Sequence, residues 1–418
     1  MLAVNRRSFL GTAVPGLAAA FAATPTLLAR AGKESAPRPD TLFLTWQRDP
    51  CTTMTVQWIG SSVEPPDIHV STTTHDTTHT AMHWWTVHST SHAFPFTELR
   101  VFRAELTGLT PGTEYQFHIG TQPATHRFRT MPSKATDTFT FVSGGDCGVN
   151  PHAAAINALA AKQNPHFAVI GGDLAYDDGR SPQAMLGFIR NYSRHMIDSD
   201  GRMIPMLACL GNHEVAGGYA KSRSAAPLFM SLFDGLYHES SYSAMDFGNY
   251  LSLMLLDTGH VSSIGGEQAE WLSQALRERA ARPHLIVVNH VPAYPSYRSP
   301  DGGDGTGAEN RKHWCPLFER FGVDAVLEHH DHTFKRTHPL IDGMKDKNGV
   351  PYLGDGSWGQ LRAPNTPEKR PYLASVGQAY HMTVHRLEGE QRYHVALEES
   401  GRVADIFGTT GKRPARKG

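Results

Sequence analysis

Phe139-Thr140-Phe141-Val142-Ser143-Gly144-Gly145-Asp146-Cys147-Gly148 is a β-prone, largely apolar run that stops at glycines and an aspartate. Four further stretches are built the same way. Phe167–Ile170 leads to Gly172-Asp173-Leu174-Ala175-Tyr176, and Met203–Leu210 leads to Gly211-Asn212-His213-Glu214. Leu285–Asn289 ends at His290, and Val323–Leu327 leads to His330-Asp331-His332. Tyr250–Leu256 adds one more run of buried-strand type. Helical patterns lie between the runs, at His152–Gln163, Pro182–Ile197, Gly266–Ala281 and Arg311–Phe321, and Pro151 and Pro182 suit first-turn positions. Strands alternating with helices predict an α/β layer architecture. Ligands of such sheets gather beyond the carboxyl ends of the strands, where the five motifs fall. A polar side chain placed after a buried strand costs stability unless it is paired or metal-bound. Asp, Asp, Asn, His and His delivered in order by five strand ends therefore predict a metal centre, although each motif alone is weak.

The region from Pro39 to Met131 has a different texture. Thr41–Trp46, Thr53–Ile59, Arg100–Leu106 and Thr113–Ile119 are strand-like, turn signals come at short intervals, and no long helical period occurs. About seven short strands in some 90 residues predict a β-sandwich. Leu106-Thr107-Gly108-Leu109-Thr110-Pro111-Gly112-Thr113-Glu114-Tyr115, with the closing Phe128-Arg129-Thr130-Met131-Pro132, resembles a fibronectin type III domain. Tyr115 would pin the corner before its strand. His75, His79, His83, His88 and His92 have irregular spacing and no acidic partners in the sequence pattern, so a solvated face is expected rather than a metal tract.

The chain has 418 residues, 40% of them hydrophobic, which suits two domains. Its formal net charge is −1, with no basic stripe for nucleic acid, so an anionic substrate must be captured locally. Cys51, Cys147, Cys209 and Cys315 show no CxxC spacing, which excludes a zinc ribbon. Export would permit one or two disulfides, but Cys209 in its apolar run is expected as a buried free thiol. Asn5-Arg6-Arg7-Ser8-Phe9-Leu10 precedes an Ala-rich stretch, and Ala29-Arg30-Ala31 offers small residues for cleavage. Residues 1–31 are read as a twin-arginine signal peptide, so the chain is expected to meet the twin-arginine export machinery and act in the periplasm or outside the cell. Thr12, Pro15, Gly16, Thr24 and Pro25 interrupt the apolar stretch and argue against a stable membrane anchor. The expected layout is a signal at 1–31, a fibronectin-like domain at 38–131, a catalytic domain at 137–400 and a solvated tail at 401–418.

Taken together, the five motifs resemble the calcineurin-like metallophosphoesterase superfamily and, within it, the purple acid phosphatase branch. Many members of the superfamily have Asp-x-His in the first motif. Here that histidine position is Gly148, and Tyr176, three residues after Asp173, replaces the missing ligand as in purple acid phosphatases. The resemblance implies a four-layer α/β/β/α sandwich behind the fibronectin-like domain. It implies one metal held by Asp146, Asp173, Tyr176 and His332, and a second held by Asp173, Asn212, His290 and His330. Fe(III) beside Zn(II), Mn(II) or Fe(II) suits this oxygen and nitrogen set. The implied activity is hydrolysis of a small-molecule phosphate ester, most simply an acid phosphatase acting on monoesters through a metal-activated hydroxide. Asn212 and His213 would contact substrate, His213 would protonate the leaving oxygen, and Glu214 would orient a neighbour.

Two departures from the family pattern bear on the site. The usual glycine before the last motif is His329, preceded by Glu328. His329 could crowd the site, or Glu328 could anchor a ring. His330 and His332 are retained as ligands because His-x-His in an extended segment puts both rings on one side. After His290 the chain reads Tyr294-Pro295-Ser296-Tyr297-Arg298, where plant-type members carry a histidine pair. Arg298 is the candidate phosphate contact, with a solvated loop residue as the alternative reading. Glu309 is expected in a helix first turn, and Tyr294 and Trp358 are expected to be packed. A diesterase with the same metals and a binding protein with a vestigial hydrolase domain are the competing readings.

Overall fold

Alternating apolar and polar residues give strands such as Glu114–Ile119 one buried face, whereas Phe43–Thr45 and Met54–Gly60 are buried on both. The computed structural model describes residues 39–73, 83–122, 124–135, 138–300 and 306–411. The segment read as a signal peptide, His75, His79, the middle of loop 299–307 and residues from 412 lie outside them. One sheet of the sandwich runs Phe43–Thr45, Met54–Gly60, Arg100–Leu106, Thr90–Ala93. The other runs Trp85–Val87, Ile68–Thr72, Glu114–Ile119, His126–Arg129. The Tyr115 hydroxyl accepts the Thr110 N–H at 2.8 Å and pins the corner as expected. His88 pairs with Asp67 at 2.9 Å, so one of the region's histidines does have an acidic partner.

The catalytic region is two sheets face to face. The six-stranded sheet has the order Met206–Ala208, Ala168–Ile170, Phe139–Gly144, His381–Glu388, Gln391–Glu398, Val403–Thr410. The seven-stranded sheet has the order Ser243–Phe247, Leu251–Leu255, His284–Asn289, Ala325–Glu328, Tyr352–Asp355, Phe334–Thr337, Leu373–Gly377. Side-chain alternation along the second sheet shows the layers. Ile286, Val288, Ala325 and Leu327 join the large core shared with the other sheet. Leu285, Val287 and Val326 join a separate core with Leu272, Leu276, Trp314 and Phe318 of the covering helices. Each central strand is thus buried on both faces, which is why it reads as a continuous apolar run. Asn150 and Ser181 cap the helices Pro151–Ala161 and Pro182–His195 by accepting the Ala153 and Ala184 N–H groups, with proline at the first turn of each.

The expected helix Arg311–Phe321 is two helices, Thr306–His313 and Cys315–Phe321. Pro316 cannot donate to the preceding turn and restarts the helix there. The C-terminal antiparallel strands were not anticipated, and ordered sheet continues to Thr410, ten residues beyond the boundary placed at 400. Their cue is the alternation in His381–Glu388 and Gln391–Glu398 around the two-residue turn Gly389-Glu390. All four cysteines are buried and free. The sandwich and the catalytic region share one core. Trp46 meets Phe167 and Phe247 edge-on at 6.0 and 5.9 Å, and the Gln57 amide donates to the Leu232 carbonyl at 2.9 Å.

His166 lies half-buried at this junction, stacked on Phe139 at 4.3 Å. Burial, and then the charge of Arg129, push its imidazole down to about 3. The unfolded chain takes up this proton near pH 6.5 and the folded chain does not. Stability should therefore be complete above that pH and fall as pH drops toward 3. His166→Gln should flatten the acid side of the Tm-against-pH curve, by about 1–2 kcal/mol at pH 4 after allowing for solvent at the exposed edge. An unchanged acid limb would show that His166 is not held neutral.

Candidate metal centre

The five motifs converge where the parallel strands of both sheets end. The first two are laced together by their backbones. Asp146, Cys147 and Gly148 donate to the carbonyls of Gly172, Asp173 and Leu174 at 3.0, 2.9 and 2.9 Å. Asp146, Asp173, Tyr176, His330 and His332 all have left-handed backbones, with φ between 53° and 68°. This conformation costs a non-glycine residue roughly 1–2 kcal/mol. Five of the seven expected ligands carry that strain, as functional positions do. It also corrects the reading of His330 and His332 as part of an extended segment. Asp331 donates to the His329 carbonyl at 2.8 Å in a tight bend, and the turn, not strand alternation, aims the rings.

The side chains form two groups around Asp173. In the first, Asp146 Oδ1 lies 3.0 Å from His332 Nε2 and 3.3 Å from the Tyr176 hydroxyl, which is 3.1 Å from the same His332 nitrogen. In the second, His290 Nε2 lies 3.2 Å from Asn212 Oδ1, 3.1 Å from His330 Nδ1 and 3.4 Å from Asp173 Oδ2. The Gly171 carbonyl accepts His290 Nδ1–H at 2.8 Å, which turns Nε2 inward toward Asp173. One oxygen of Asp146, one of Asp173 and one nitrogen each of His290 and His330 fall within 4.8 Å of one another, all buried. Asp173 Oδ2 is buried without a hydrogen-bond donor. With only His290 Nε2 facing it at 3.4 Å, such an oxygen fits a bound cation.

The electrostatics agree. Burial alone would raise the Asp173 carboxyl, but His290 beside it, with His213 and His330, holds it far below the usual carboxylate range. Burial would lower His290, yet Asp173 lifts it to about 9. Burial and then Asp146 and Asp173 hold the Tyr176 phenol protonated, so metal binding must release its proton.

Family models match the chain twice: purple acid phosphatase N-terminal domain over residues 39–143, and calcineurin-like phosphoesterase over residues 127–334. The chain belongs to the purple acid phosphatase branch of the calcineurin-like phosphoesterases. It is accordingly a metallophosphoesterase. It is 27% identical over 403 residues to an uncharacterized protein of Mycobacterium tuberculosis, covering 83% of this chain and 74% of that one. It is 25% identical over 342 residues to acid phosphatase type 7 of Homo sapiens, covering 74% and 76%. The fold matches a purple acid phosphatase from yellow lupin seeds with a TM-score of 0.72 at 16% identity, over 88% and 74% of the chains.

Within this purple acid phosphatase fold, His213 is partly exposed and lies against Tyr176 of the first group. Its Nδ1 meets Asp178 Oδ1 at 2.5 Å, its ring packs on Tyr176 at 4.4 Å, and its N–H donates to Asp173 Oδ1 at 2.9 Å. Glu214 does orient a neighbour, but the neighbour is backbone. Its carboxylate accepts N–H groups from Asp173, Leu174 and Gly211 at 2.8, 2.7 and 2.7 Å. Arg298 does not reach freely into solvent. Its guanidinium binds the His330 carbonyl and Asp331, and Asp331 also accepts the Tyr297 N–H at 2.7 Å. Its observed contacts therefore brace the His-Asp-His turn, where a phosphate contact was expected. Glu328 anchors no ring: it forms a buried ion pair with Lys335 and accepts the Ala293 N–H at 2.6 Å. Glu309 lies in a helix first turn, and Tyr294 and Trp358 are buried, as expected. Asp178 and Lys335 carried no sequence signal, and Asp331 only its place inside the last motif, because each acts through a contact made only in the folded chain.

His329 does not crowd the ligands. Its ring is buried, its Nδ1 lies 2.9 Å from the Asn289 carbonyl, and it fills a slot floored by Gly145 and Gly171. A Cβ at Gly171 would overlap the ring, and one at Gly145 would lie 2.8 Å from it. Gly171→Ala should therefore destabilise the protein by about 2–3 kcal/mol, and adding His329→Ala should restore part of the loss. Strictly additive Tm changes in the double variant would rule out the slot.

Proposed function

We propose that this chain is an exported acid phosphatase that hydrolyses small-molecule phosphomonoesters at a two-metal centre. The observation that carries this reading is the gathering of seven side chains into two groups around Asp173, with donor atoms of Asp146, Asp173, His290 and His330 within 4.8 Å of one another. Asp146, Asp173, Tyr176 and His332 would hold Fe(III), for which a phenolate is a suitable hard ligand, and Asp173, Asn212, His290 and His330 would hold Zn(II), Mn(II) or Fe(II). Bound there, the pair would polarise phosphoryl oxygens and lower the pKa of water, so no side-chain nucleophile is required. The amide of Asn212, beside the second group, would orient a phosphoryl oxygen. Asp178 occupies His213 Nδ1, so Nε2 is left to face the substrate. A proton held at Nε2 would pass to the leaving oxygen as the ester bond breaks. A phosphate contact by Arg298 would have to use the part of the guanidinium not engaged with His330 and Asp331. Export rests on the twin arginine Arg6-Arg7 and the Ala-rich stretch behind it. Among the described residues no helix is long and apolar enough to cross a membrane.

Initial rates on 4-nitrophenyl phosphate and bis(4-nitrophenyl) phosphate test the ester class, and faster diester turnover would move the function to phosphodiesterase. Asp173→Asn should lower kcat by roughly 1,000-fold or more and reduce metal content per folded chain. Full activity in that variant would sink the two-metal mechanism. Iron-loaded protein should absorb visible light through a ferric phenolate, and Tyr176→Phe should lose that band while remaining folded. A band that survives the substitution would remove Tyr176 from the ligand set.

A further inference from the structure

A cavity of about 590 Å³ opens beside the second ligand group, between the loop around Tyr219 and the loop from Gly259 to Gly265. Its link to the centre runs through Tyr219 and the ring of His330, whose Nδ1 faces the second ligand group. The Tyr219 ring lines the cavity, and the Tyr219 hydroxyl reaches His330 Nε2 at 3.5 Å. On its other side Tyr219 packs on His260, ring centroids 4.8 Å apart, and His260 in turn lies against His290 at 5.7 Å.

The walls are built before any ligand arrives. Ala220 and Lys221 donate to the carbonyls of Gly259 and His260, both at 2.9 Å, which stitches the two loops together. The buried Asp257 carboxylate accepts N–H groups from His260, Val261 and Ser262 at 2.8, 2.9 and 2.7 Å. Gln268 and Trp314 hold the far end, donating to Ser263 and Ile264 carbonyls at 2.9 Å each. Ala220 is left-handed, φ 52°, with nothing in the local sequence to require it. That strain sits between the two side chains that give the cavity its chemistry. A preformed wall of this kind lowers the ordering cost of binding.

Val261 and Ile264 supply apolar surface. Two charged residues line the rim. Glu309 is already neutralised by Lys312 and His313, at 3.5 and 3.1 Å. No carboxylate among the described residues pairs with Lys221, which is exposed. Among the described residues the cavity therefore combines an apolar body with a cation that no carboxylate pairs.

We propose that this cavity is the leaving-group subsite, and that it selects phosphate monoesters whose alcohol carries a second anionic group, which Lys221 pairs with. The inference rests on the phosphoesterase reading. In the reaction, water adds to phosphorus, the phosphorus–oxygen bond to the alcohol breaks, and the alcohol oxygen takes a proton. The released alcohol, with its second anion, is the part the cavity holds.

The test compares 4-carboxyphenyl phosphate with its methyl ester, which keeps the ring and removes the charge. In the unmodified protein kcat/KM should favour the carboxylate. Lys221→Ala should lower the ratio of the two kcat/KM values about fivefold, as losing one partly solvated ion pair would. Lys221→Glu should lower it further, and Lys221→Arg should restore it. Equal ratios in all four proteins would overturn the subsite while leaving the phosphoesterase intact. If the unmodified protein turned over neither ester, the phosphoesterase reading would fail instead. Calorimetry with 4-carboxybenzylphosphonate then reads the subsite without turnover: weaker binding by Lys221→Ala supports it, and equal binding overturns it.

Discussion

The arrangement of this molecule turns on one buried carboxylate. Asp173 sits between two groups of candidate ligands, with one oxygen taken by the His213 N–H and the other facing only His290 Nε2, 3.4 Å away. A carboxylate so placed would be strongly destabilising by itself. Its neighbours hold it ionised and in place. His290 lies beside it, and Glu214, also fully buried, grips the backbone of Asp173 and Leu174. Two acids buried together are an unfavourable pair in the absence of a cation. The same geometry becomes favourable once positive charge occupies the space between the groups.

Around that point the two sheets act as a rigid frame. Each central strand is locked by packing on both faces, one against the opposite sheet and one against helices. Strand ends therefore cannot drift, and the left-handed turns after them are held despite their cost. The N-terminal sandwich adds to this rigidity. Trp46 inserts among Phe167 and Phe247, so the sandwich is part of the same core as the strand that precedes Asp173. On the opposite side, the buried Glu328–Lys335 pair and Asp331 tie the loop after His290 to the last motif. The loops that border the cleft are thereby anchored to the frame that carries the ligands.

Much of the centre was legible in the chain because metal ligation needs particular atoms at particular strand ends. The order Asp, Asp-x-x-Tyr, Asn-His, His and His-x-His identified all seven side chains that the structure brings together. The central strands were legible for the same kind of reason, since burial on both faces leaves an apolar run with little ambiguity. The C-terminal antiparallel strands escaped because half-exposed alternation competes with turn and charge signals in a stretch such as His381–Glu398. The break at Pro316 was visible as a proline but not as two helices, since a proline can open a helix as readily as end one.

The sequence by itself determined the donor atoms, their order and the layer class, because these follow from residue type and hydrophobic period. Tertiary structure alone decided how those atoms are aimed and what supports them. The turn that points His330 and His332, the slot between Gly145 and Gly171 that absorbs His329, the use of Arg298 as a brace and the cavity beside Tyr219 all depend on groups far apart in the chain. Such contacts leave no local pattern, because their energies exist only once the two sheets have closed on each other.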